Sequence, residues 1–203
     1  SEGENSNPKS VPGVESWVNL TIGNMFTNSK NYNETLNSHM IKNSEWGAVA
    51  YLAESRYGRN GTQISLNNSA SYITGSSSGM DSNGSNTYEY NSENGVLAST
   101  TGNIYGVYDM TGGAYEYVAI YNKEGATLKN GEEFTSSKES NEYSTVYEND
   151  ELNNAYKYGD GTYETKGWHG DYSNFMVENS PFCVRGGYYN DKQSAGIFYY
   201  QVR

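Results

Sequence analysis

The sequence is poor in several residue types, and each shortage excludes a class of protein. Its only cysteine is Cys183, so neither an internal disulfide framework nor a cysteine-based zinc site is expected. Lysine and arginine number 13 against 24 aspartates and glutamates, and the net charge of −11 argues against a nucleic-acid partner, which requires a basic surface. No apolar run approaches the ~18 residues that a membrane span requires, so we expect no membrane insertion.

The aliphatic and phenylalanine side chains that usually build a core are also scarce. Val, Leu, Ile and Phe together number 30 in 203 residues, a fraction that at this net charge is typical of disordered segments. The aromatic residues argue for a folded chain instead. There are 21 tyrosines and 3 tryptophans, and each can bury roughly 150–250 Å² while keeping a polar group available. We therefore expect one folded domain that uses tyrosine both in its core and on its surface.

Four residue types make up nearly half of the chain: Asn (26), Ser (25), Gly (23) and Tyr (21). Such a composition is typical of loops and turns. It also matches antibody paratopes, where Tyr supplies rigid contact area and Ser, Gly and Asn supply adaptable hydrogen bonds. Composition alone leaves two interpretations open, a tyrosine-rich binding surface or a secreted bacterial protein with long polar loops.

Hydrophobic periodicity predicts few regular elements. Residues 1–16 are polar and are predicted to be a flexible lead-in to a single domain over residues 17–203. Apolar and polar residues alternate over 17–26, which indicates a half-buried strand. From Trp46, apolar residues recur at i+3, i+4 and i+7, which indicates a helix over 43–57.

Two polar stretches and two ordered segments complete the predicted organisation. Residues 60–95, rich in Ser, Gly and Asn, are predicted to be a long surface insertion. Residues 122–166 are predicted to present a solvated acidic face, because their acids lack the close spacing of a calcium loop. The pattern over 105–119 indicates a Gly-Gly turn followed by a strand, and that over 181–203 indicates strand, turn, strand.

Two blocks of sequence resemble a known family. Residues 102–118, GNIYGVYDMTGGAYEYV, resemble the N-x-x-G-L-x-D-M-x-G-N-V-x-E-W block of formylglycine-generating-enzyme-like (sulfatase-modifying factor) domains, a branch of the C-type lectin fold. Residues 185–187, RGG, followed by 195–198, AGIF, are similar to the second block of these domains. The resemblance implies an α+β domain of C-type lectin fold with long polar surface insertions.

A third segment narrows this resemblance. Residues 39–52, HMIKNSEWGAVAYL, resemble surface-displayed, pilin-associated proteins of gut Firmicutes and their phages. Several of those proteins are targets of diversity-generating retroelements, which mutagenise asparagine codons in the stretch from R-G-G to A-G-x-F. The resemblance implies a variable region over 185–203 and display at an extracellular, cell-surface or virion location. Family members continue beyond this stretch to a closing strand, whereas this sequence ends at Arg203.

The variable-region hypothesis divides 185–203 into two sets of positions. A site that tolerates many side chains needs a backbone that is held from elsewhere, and glycine permits tight turns. The predicted scaffold residues are Arg185, Gly186, Gly187, Ala195, Gly196 and Phe198. The predicted ligand-binding residues are Tyr188, Tyr189, Asn190, Asp191, Lys192, Gln193, Tyr199, Tyr200 and Gln201. An asparagine codon gives Tyr or Asp by one base change at its first position and Asn when unchanged, whereas Lys192 and Gln193 are expected to be template-fixed. The alternative is an ordinary tyrosine-rich hairpin.

The resemblance also brings enzymes into consideration, because fold relatives include oxidases. Formylglycine-generating enzymes bind copper through two cysteines, whose positions correspond here to Asp191 and Gly196. Iron-dependent sulfoxide synthases of this fold need three histidines, and the sequence has only His39 and His169. The most site-like acid–base group, WHGD at 168–171, is interpreted as a loop turn with an exposed histidine. We therefore predict no catalytic residue and no enzymatic activity.

No cofactor or metal is predicted. The resemblance raises a structural calcium near Asn103 and Asp109, against the alternative of a turn-forming asparagine and an aspartate that caps main-chain groups. The E-P-N, Q-P-D and W-N-D motifs of calcium-dependent sugar binding are absent from the sequence. The predicted function is binding of a protein or glycan on another cell or host surface through the tyrosine-rich C-terminal face. A structural pilus or tail subunit, a fixed adhesin and a divergent oxidase are the alternatives.

Overall fold

The computed structural model describes residues 8–80, 86–122, 142–147, 157–175, 180 and 182–203. Two α-helices come first, α1 at Ile22–Asn31 and α2 at Asn43–Glu54. Six short strands follow: β1 Glu116–Tyr117, β2 Ile120–Asn122, β3 Thr145–Tyr147, β4 Ser173–Asn174, β5 Cys183–Arg185 and β6 Tyr200–Val202. Helices and strands in this arrangement agree with the predicted α+β class. No helix among the described residues has both the length and the apolar character that a bilayer crossing requires.

The strands form two small sheets. One has the order β1-β5-β6-β4, in which β5 is antiparallel to both β1 and β6, and β6 is parallel to β4. The other is the parallel pair of β2 and β3. The antiparallel pairing of β5 with β6 confirms the strand, turn, strand pattern predicted over 181–203. The connecting loop therefore starts and ends on neighbouring strands.

Helix α2 forms where the hydrophobic spacing predicts it. Trp46, Ala50 and Ala53 are 2%, 0% and 2% exposed and pack in the core against the mixed sheet. At the N-terminus the Glu45 carboxylate accepts a hydrogen bond from the Lys42 main-chain N–H at 2.9 Å, which satisfies one of the free donors of the first turn. The helix ends at Glu54 instead of reaching residue 57, because Ser55 is already extended (ψ 166°).

The prediction of a strand over 17–26 is wrong, because this region begins helix α1. The Thr21 hydroxyl accepts a hydrogen bond from the Asn24 N–H at 3.2 Å and caps the helix. The buried residues Ile22 and Phe26 are spaced i, i+4 and pack on Met40 and Phe182. The alternation that indicated a strand lies mostly before the cap, so the helical spacing after it decides the local structure.

The prediction of a surface insertion over 60–95 is also wrong for six of its polar residues. Ser65, Asn67, Ser69, Ser76, Ser77 and Ser78 are all buried. The Asn67 amide donates to the Ile73 carbonyl at 2.8 Å and to the Asp109 carboxylate at 2.9 Å. Buried loops must satisfy their main-chain polar groups, and short polar side chains can do this within a packed interior.

The segment before α1 also packs on this loop. Gly13 N–H donates to the Thr74 carbonyl at 2.9 Å, Thr74 N–H to Val14 at 2.8 Å, and Ser16 N–H to Tyr72 at 2.8 Å. Residues 13–16 of the predicted lead-in are thus paired with 72–74. Residues 1–7, and the parts of the predicted acidic face at 123–141 and 148–156, lie outside the described residues.

Candidate ligand-binding surface and its neighbouring cavity

Arg185, the last residue of β5, is fully buried and joins three parts of the chain. Its guanidinium donates to the Asn43 amide oxygen at 3.1 Å, to the Gly161 carbonyl at 2.7 Å and, at 3.4 Å, to the Ile197 carbonyl. It also lies 5.6 Å from the centre of the Trp46 ring. Burial lowers the pKa of Arg185, so these partners must offset the cost of a buried charge. They tie the start and end of the 186–199 loop to helix α2.

A second layer of polar groups completes this buried site. The Asn43 amide donates to the Tyr147 hydroxyl at 2.8 Å, and that hydroxyl donates to the Asp160 carboxylate. Burial raises the pKa of Asp160, while its contacts with Tyr147 and the nearby charges of Lys157 and Arg185 act in the opposite direction. The carboxylate of Asp160 thus helps to offset the buried guanidinium of Arg185.

The glycines of the loop are required by close contacts. Gly187 has φ +71°, and a Cβ there would lie 2.7 Å from the Ala195 Cβ. A Cβ at Gly196 would lie 2.1 Å from a carboxylate oxygen of Asp171. Phe198 is 0% exposed. Of the predicted scaffold residues, Arg185, Gly186, Gly187, Gly196 and Phe198 are buried and Ala195 is half-buried.

The predicted ligand-binding residues fall into three groups by exposure. Asn190, Lys192 and Gln193 are exposed, and Tyr188, Tyr189, Asp191 and Gln201 are half-buried. Tyr199 and Tyr200 are only 2% and 1% exposed, and Tyr200 belongs to the hydrophobic core. These two tyrosines do not form an outer contact surface in this conformation. Composition could not separate them from Tyr188 and Tyr189, because tyrosine serves both environments in this chain.

Six tyrosine rings follow one another beside the loop, with successive centroids 5.0–6.1 Å apart. We call them the tyrosine row, in the order Tyr72, Tyr189, Tyr188, Tyr115, Tyr199 and Tyr172. Tyr72, Tyr115 and Tyr172 come from distant segments and were not among the predicted site residues. The only sequence signal for any of them is the strand alternation that includes Tyr115. The row is continuous because the fold brings these segments to the loop.

A cavity of about 340 Å³ lies on another side of the same loop. Lys192, Gln193, Ala195, Gly196 and Ile197 of the loop line it together with Glu54, Gln63, Ile64, Ser65, Leu66, Ser78, Gly79, Met80, Thr111, His169 and Asp171. His169 lies in the short turn Trp168–Gly170, as the sequence predicts, but its ring has a partner. Its Nε2 is 3.0 Å from a carboxylate oxygen of Glu54, at the end of α2. The fold thus brings the turn at 168–171 to two of the predicted ligand-binding residues.

Asp171 is the most deeply buried acid of this cavity. It is 5% exposed, and one carboxylate oxygen accepts a hydrogen bond from the Phe198 N–H at 2.9 Å. The other oxygen has no hydrogen-bond partner among the described residues. Burial raises the pKa of Asp171 to about 6, against the lowering effects of the Phe198 hydrogen bond and the charges of His169 and Arg185. The negative charge of Glu54 raises it further.

The two residues considered for a structural calcium have local partners. The Asn103 side chain accepts from the Tyr105 N–H at 2.9 Å, as in an Asx turn. Both oxygens of Asp109 accept from the Gly75 N–H at 3.0 Å, and one also accepts from the Asn67 amide. These contacts favour the turn-forming and capping alternative. Within the described ranges, no three His, Cys, Asp or Glu side chains are grouped so that they could hold a metal.

In comparisons with known proteins, no family model, no curated protein and no solved structure matches this chain. The relation to formylglycine-generating-enzyme-like domains therefore stays a prediction from the sequence blocks.

Proposed function

We propose that this protein is a non-enzymatic, surface-displayed ligand-binding protein that contacts a macromolecular partner through residues 188–193 and the half-buried and exposed rings of the tyrosine row. The observation that carries the proposal is the row itself. Its rings contact one another in sequence, and four of the six are half-buried with part of each ring at the surface. Tyrosine offers large contact area and a hydroxyl for hydrogen bonding at low conformational cost.

The way the loop is held supports binding without a large ordering cost. Arg185 and Tyr200 are buried at its two ends, and the Tyr189 N–H donates to the Gly113 carbonyl at 2.9 Å in the middle. Because the rings and the backbone already contact fixed neighbours, less conformational entropy is lost when a partner binds. A protein partner of ordinary size would cover about 800 Å² on this side.

The same geometry is compatible with diversification. Substitutions at Asn190 and Asp191 change exposed or half-buried side chains, whereas Arg185, Gly187 and Phe198 are enclosed by the core. We therefore propose the loop as the variable region of a diversity-generating retroelement target. Tyr199 and Tyr200 are left out of the contact surface because they are buried.

A second candidate, a pilus or tail subunit, is favoured by one separate observation. Ile104, Tyr105 and Val107 are 47%, 88% and 48% exposed and form an apolar segment that a neighbouring subunit could cover. The oxidase alternative is weakened by the state of Cys183. Its thiol is fully buried, and burial raises its pKa to about 11, so it does not provide the reactive thiolate that such chemistry uses.

The test is deep sequencing of codons 182–203 in a population that carries the gene. The proposal expects substitutions concentrated at 188–191, with Arg185, Gly186, Gly187 and Gly196 constant. A single invariant sequence would remove diversification and leave a fixed adhesin or a structural subunit.

A binding assay separates those two remaining alternatives. The protein is displayed on yeast and screened against arrays of glycans and of purified surface proteins. We expect binding that Tyr188→Ser and Tyr189→Ser abolish and that Tyr105→Ser, a matched change of an exposed tyrosine outside the row, leaves intact. Binding that depends on Tyr105 and not on Tyr188 would support subunit assembly.

A further inference from the structure

We propose that the cavity lined by Glu54, His169 and Asp171 binds an organic cation, either an alkylammonium or a guanidinium group, between the two carboxylates. Its volume of about 340 Å³ lies at the small end of ligand sites and suits one such group with a short alkyl chain. Neither carboxylate has a role in the tyrosine row.

Asp171 provides the first observation that points to a ligand. Its side chain lines the cavity and is 5% exposed; one oxygen accepts from the Phe198 N–H, and the other, which has no donor among the described residues, is not fully enclosed and can be reached from the cavity. Buried carboxylates are normally paired or fully hydrogen-bonded, because their desolvation is costly. A ligand with a hydrogen-bond donor that enters the cavity would give the second oxygen of Asp171 a partner.

Electrostatic repulsion provides the second observation. Glu54 and Asp171 both line the cavity, and the negative charge of Glu54 makes a minor contribution to the raised pKa of Asp171. Among the described residues, the Glu54 carboxylate is paired with the ring of His169 alone, at 3.0 Å. A cation bound between the two acids would relieve this repulsion, and the net charge of −11 favours its approach.

No basic side chain of the described residues already fills this role. The charge of Arg185 reaches Asp171, but the hydrogen bonds of its guanidinium go to the Asn43 side chain and to the Gly161 and Ile197 carbonyls, and none goes to a carboxylate among the described residues. Lys192 lines the cavity from its exposed rim and forms no ion pair within the described part of the chain.

The remaining lining suits an organic cation better than a bare metal ion. Hydrogen bonds from the N–H groups that do not contact a carboxylate can be accepted by side-chain oxygens of the lining: the hydroxyls of Ser65, Ser78 and Thr111 and the amides of Gln63 and Gln193. Ile64, Leu66, Met80 and Ile197 provide apolar surface for an alkyl chain. A cation of this class is either a free small molecule or a lysine or arginine side chain of a protein partner. The second source, a side chain of a protein partner, depends on the proposed function as a binding protein.

The experiment titrates n-butylammonium and methylguanidinium, with n-butanol as the neutral control, into the ¹⁵N-labelled full chain at pH 7.5. We expect saturable shifts at amides that line the cavity for the two cations and none for n-butanol. Asp171→Asn and Glu54→Gln should each weaken binding roughly tenfold or more, because each removes one charged acceptor. Equal shifts with n-butanol, no saturable shifts, or unchanged affinity in both folded variants would overturn the proposal.

Glu45→Gln is the matched control. Glu45 lies in the same helix and is also 3.0 Å from a histidine, His39, but it does not line the cavity. This variant should bind both cations as the wild type does. Near-ultraviolet circular dichroism shows whether each variant is folded. If Asp171→Asn does not fold, the cation affinity of Glu54→Gln alone tests the proposal.

Two further arms identify the source of the cation and separate this proposal from the previous one. The first arm compares a blocked Ala-Lys-Ala peptide, and its norleucine analogue as the control, with n-butylammonium. Tighter binding of the lysine peptide, with no binding of the norleucine peptide, would assign the site to a partner's side chain. Tighter binding of n-butylammonium would assign it to a small molecule. Tyr188→Ser should leave cation binding unchanged. Loss of cation binding in Tyr188→Ser would contradict the proposal that the cavity binds cations independently of the tyrosine row. Failure to find any partner for the tyrosine row would leave the cation-binding proposal intact.

Discussion

Asp171→Asn should stabilise the protein, and the gain should grow with pH. The carboxyl is 5% exposed, and burial raises its pKa from 3.8 to about 6. The folded chain therefore keeps a proton that the unfolded chain has released. The contribution of Asp171 to stability is fully present below pH 3.8, where the carboxyl is protonated in both states, and is lost as the pH rises through about 6. Asparagine cannot ionise, so it avoids this loss.

The size of the pKa shift of Asp171 sets the size of the effect on the free energy of unfolding. Each unit of pKa corresponds to about 1.4 kcal/mol, so the full effect above pH 7 is about 3 kcal/mol and the effect at pH 4.5 is about 1 kcal/mol. Asparagine keeps an oxygen that can accept from the Phe198 N–H, and its amide can be solvated in the cavity. We therefore expect the advantage of the variant to increase by about 2 kcal/mol between pH 4.5 and pH 8.

Urea denaturation of both proteins at several pH values measures this difference. The control is Asp191→Asn, which changes a half-buried aspartate that also accepts a main-chain N–H, that of Tyr188 at 3.0 Å. The pH dependence caused by Asp171→Asn must be clearly the larger of the two. A constant difference between wild type and Asp171→Asn, or a loss of stability that deepens with pH, would refute the reasoning.

Three further predictions concern the free energy of unfolding, measured by urea denaturation at pH 7. Gly187→Ala should lose roughly 2–5 kcal/mol through strain at positive φ and overpacking, whereas Gly170→Ala, with φ +83° and open space, should lose only about 1–2 kcal/mol; similar losses would contradict the contacts of the loop. Tyr200→Ser should lose roughly 3–5 kcal/mol and Tyr189→Ser less than about 1 kcal/mol, and the reverse order would mean that β6 is turned over. Arg185→Met should lose roughly 3–5 kcal/mol, because it leaves the buried Gly161 carbonyl without its donor and removes a positive charge near the Asp160 carboxylate. A neutral result would contradict the anchoring role of Arg185.

Local patterns predicted well where short-range spacing decides the structure. Helix α2 follows from the apolar spacing that starts at Trp46, and the β5–β6 pair follows from two short strand patterns joined by a turn. The same rules failed at residues 17–26, where a few alternating residues preceded a helix cap at Thr21. They failed again at Ser76–Ser78, because polarity alone does not show that a loop will be buried and hydrogen-bonded.

The features of the candidate site also fall into those that local sequence patterns predict and those that depend on distant segments. From the sequence we predicted a tyrosine-rich contact surface, which stays a prediction, and we also predicted that Arg185 and the loop glycines hold the loop and that residues 168–171 form a turn with a histidine and an acid. The burial of Tyr200, the extension of the row by Tyr72 and Tyr172, and the contact of Glu54 with His169 across 115 positions of sequence became visible in the folded chain alone. Residue type sets what a side chain can do, but the burial of a tyrosine and the charge around Asp171 depend on groups that only folding brings together.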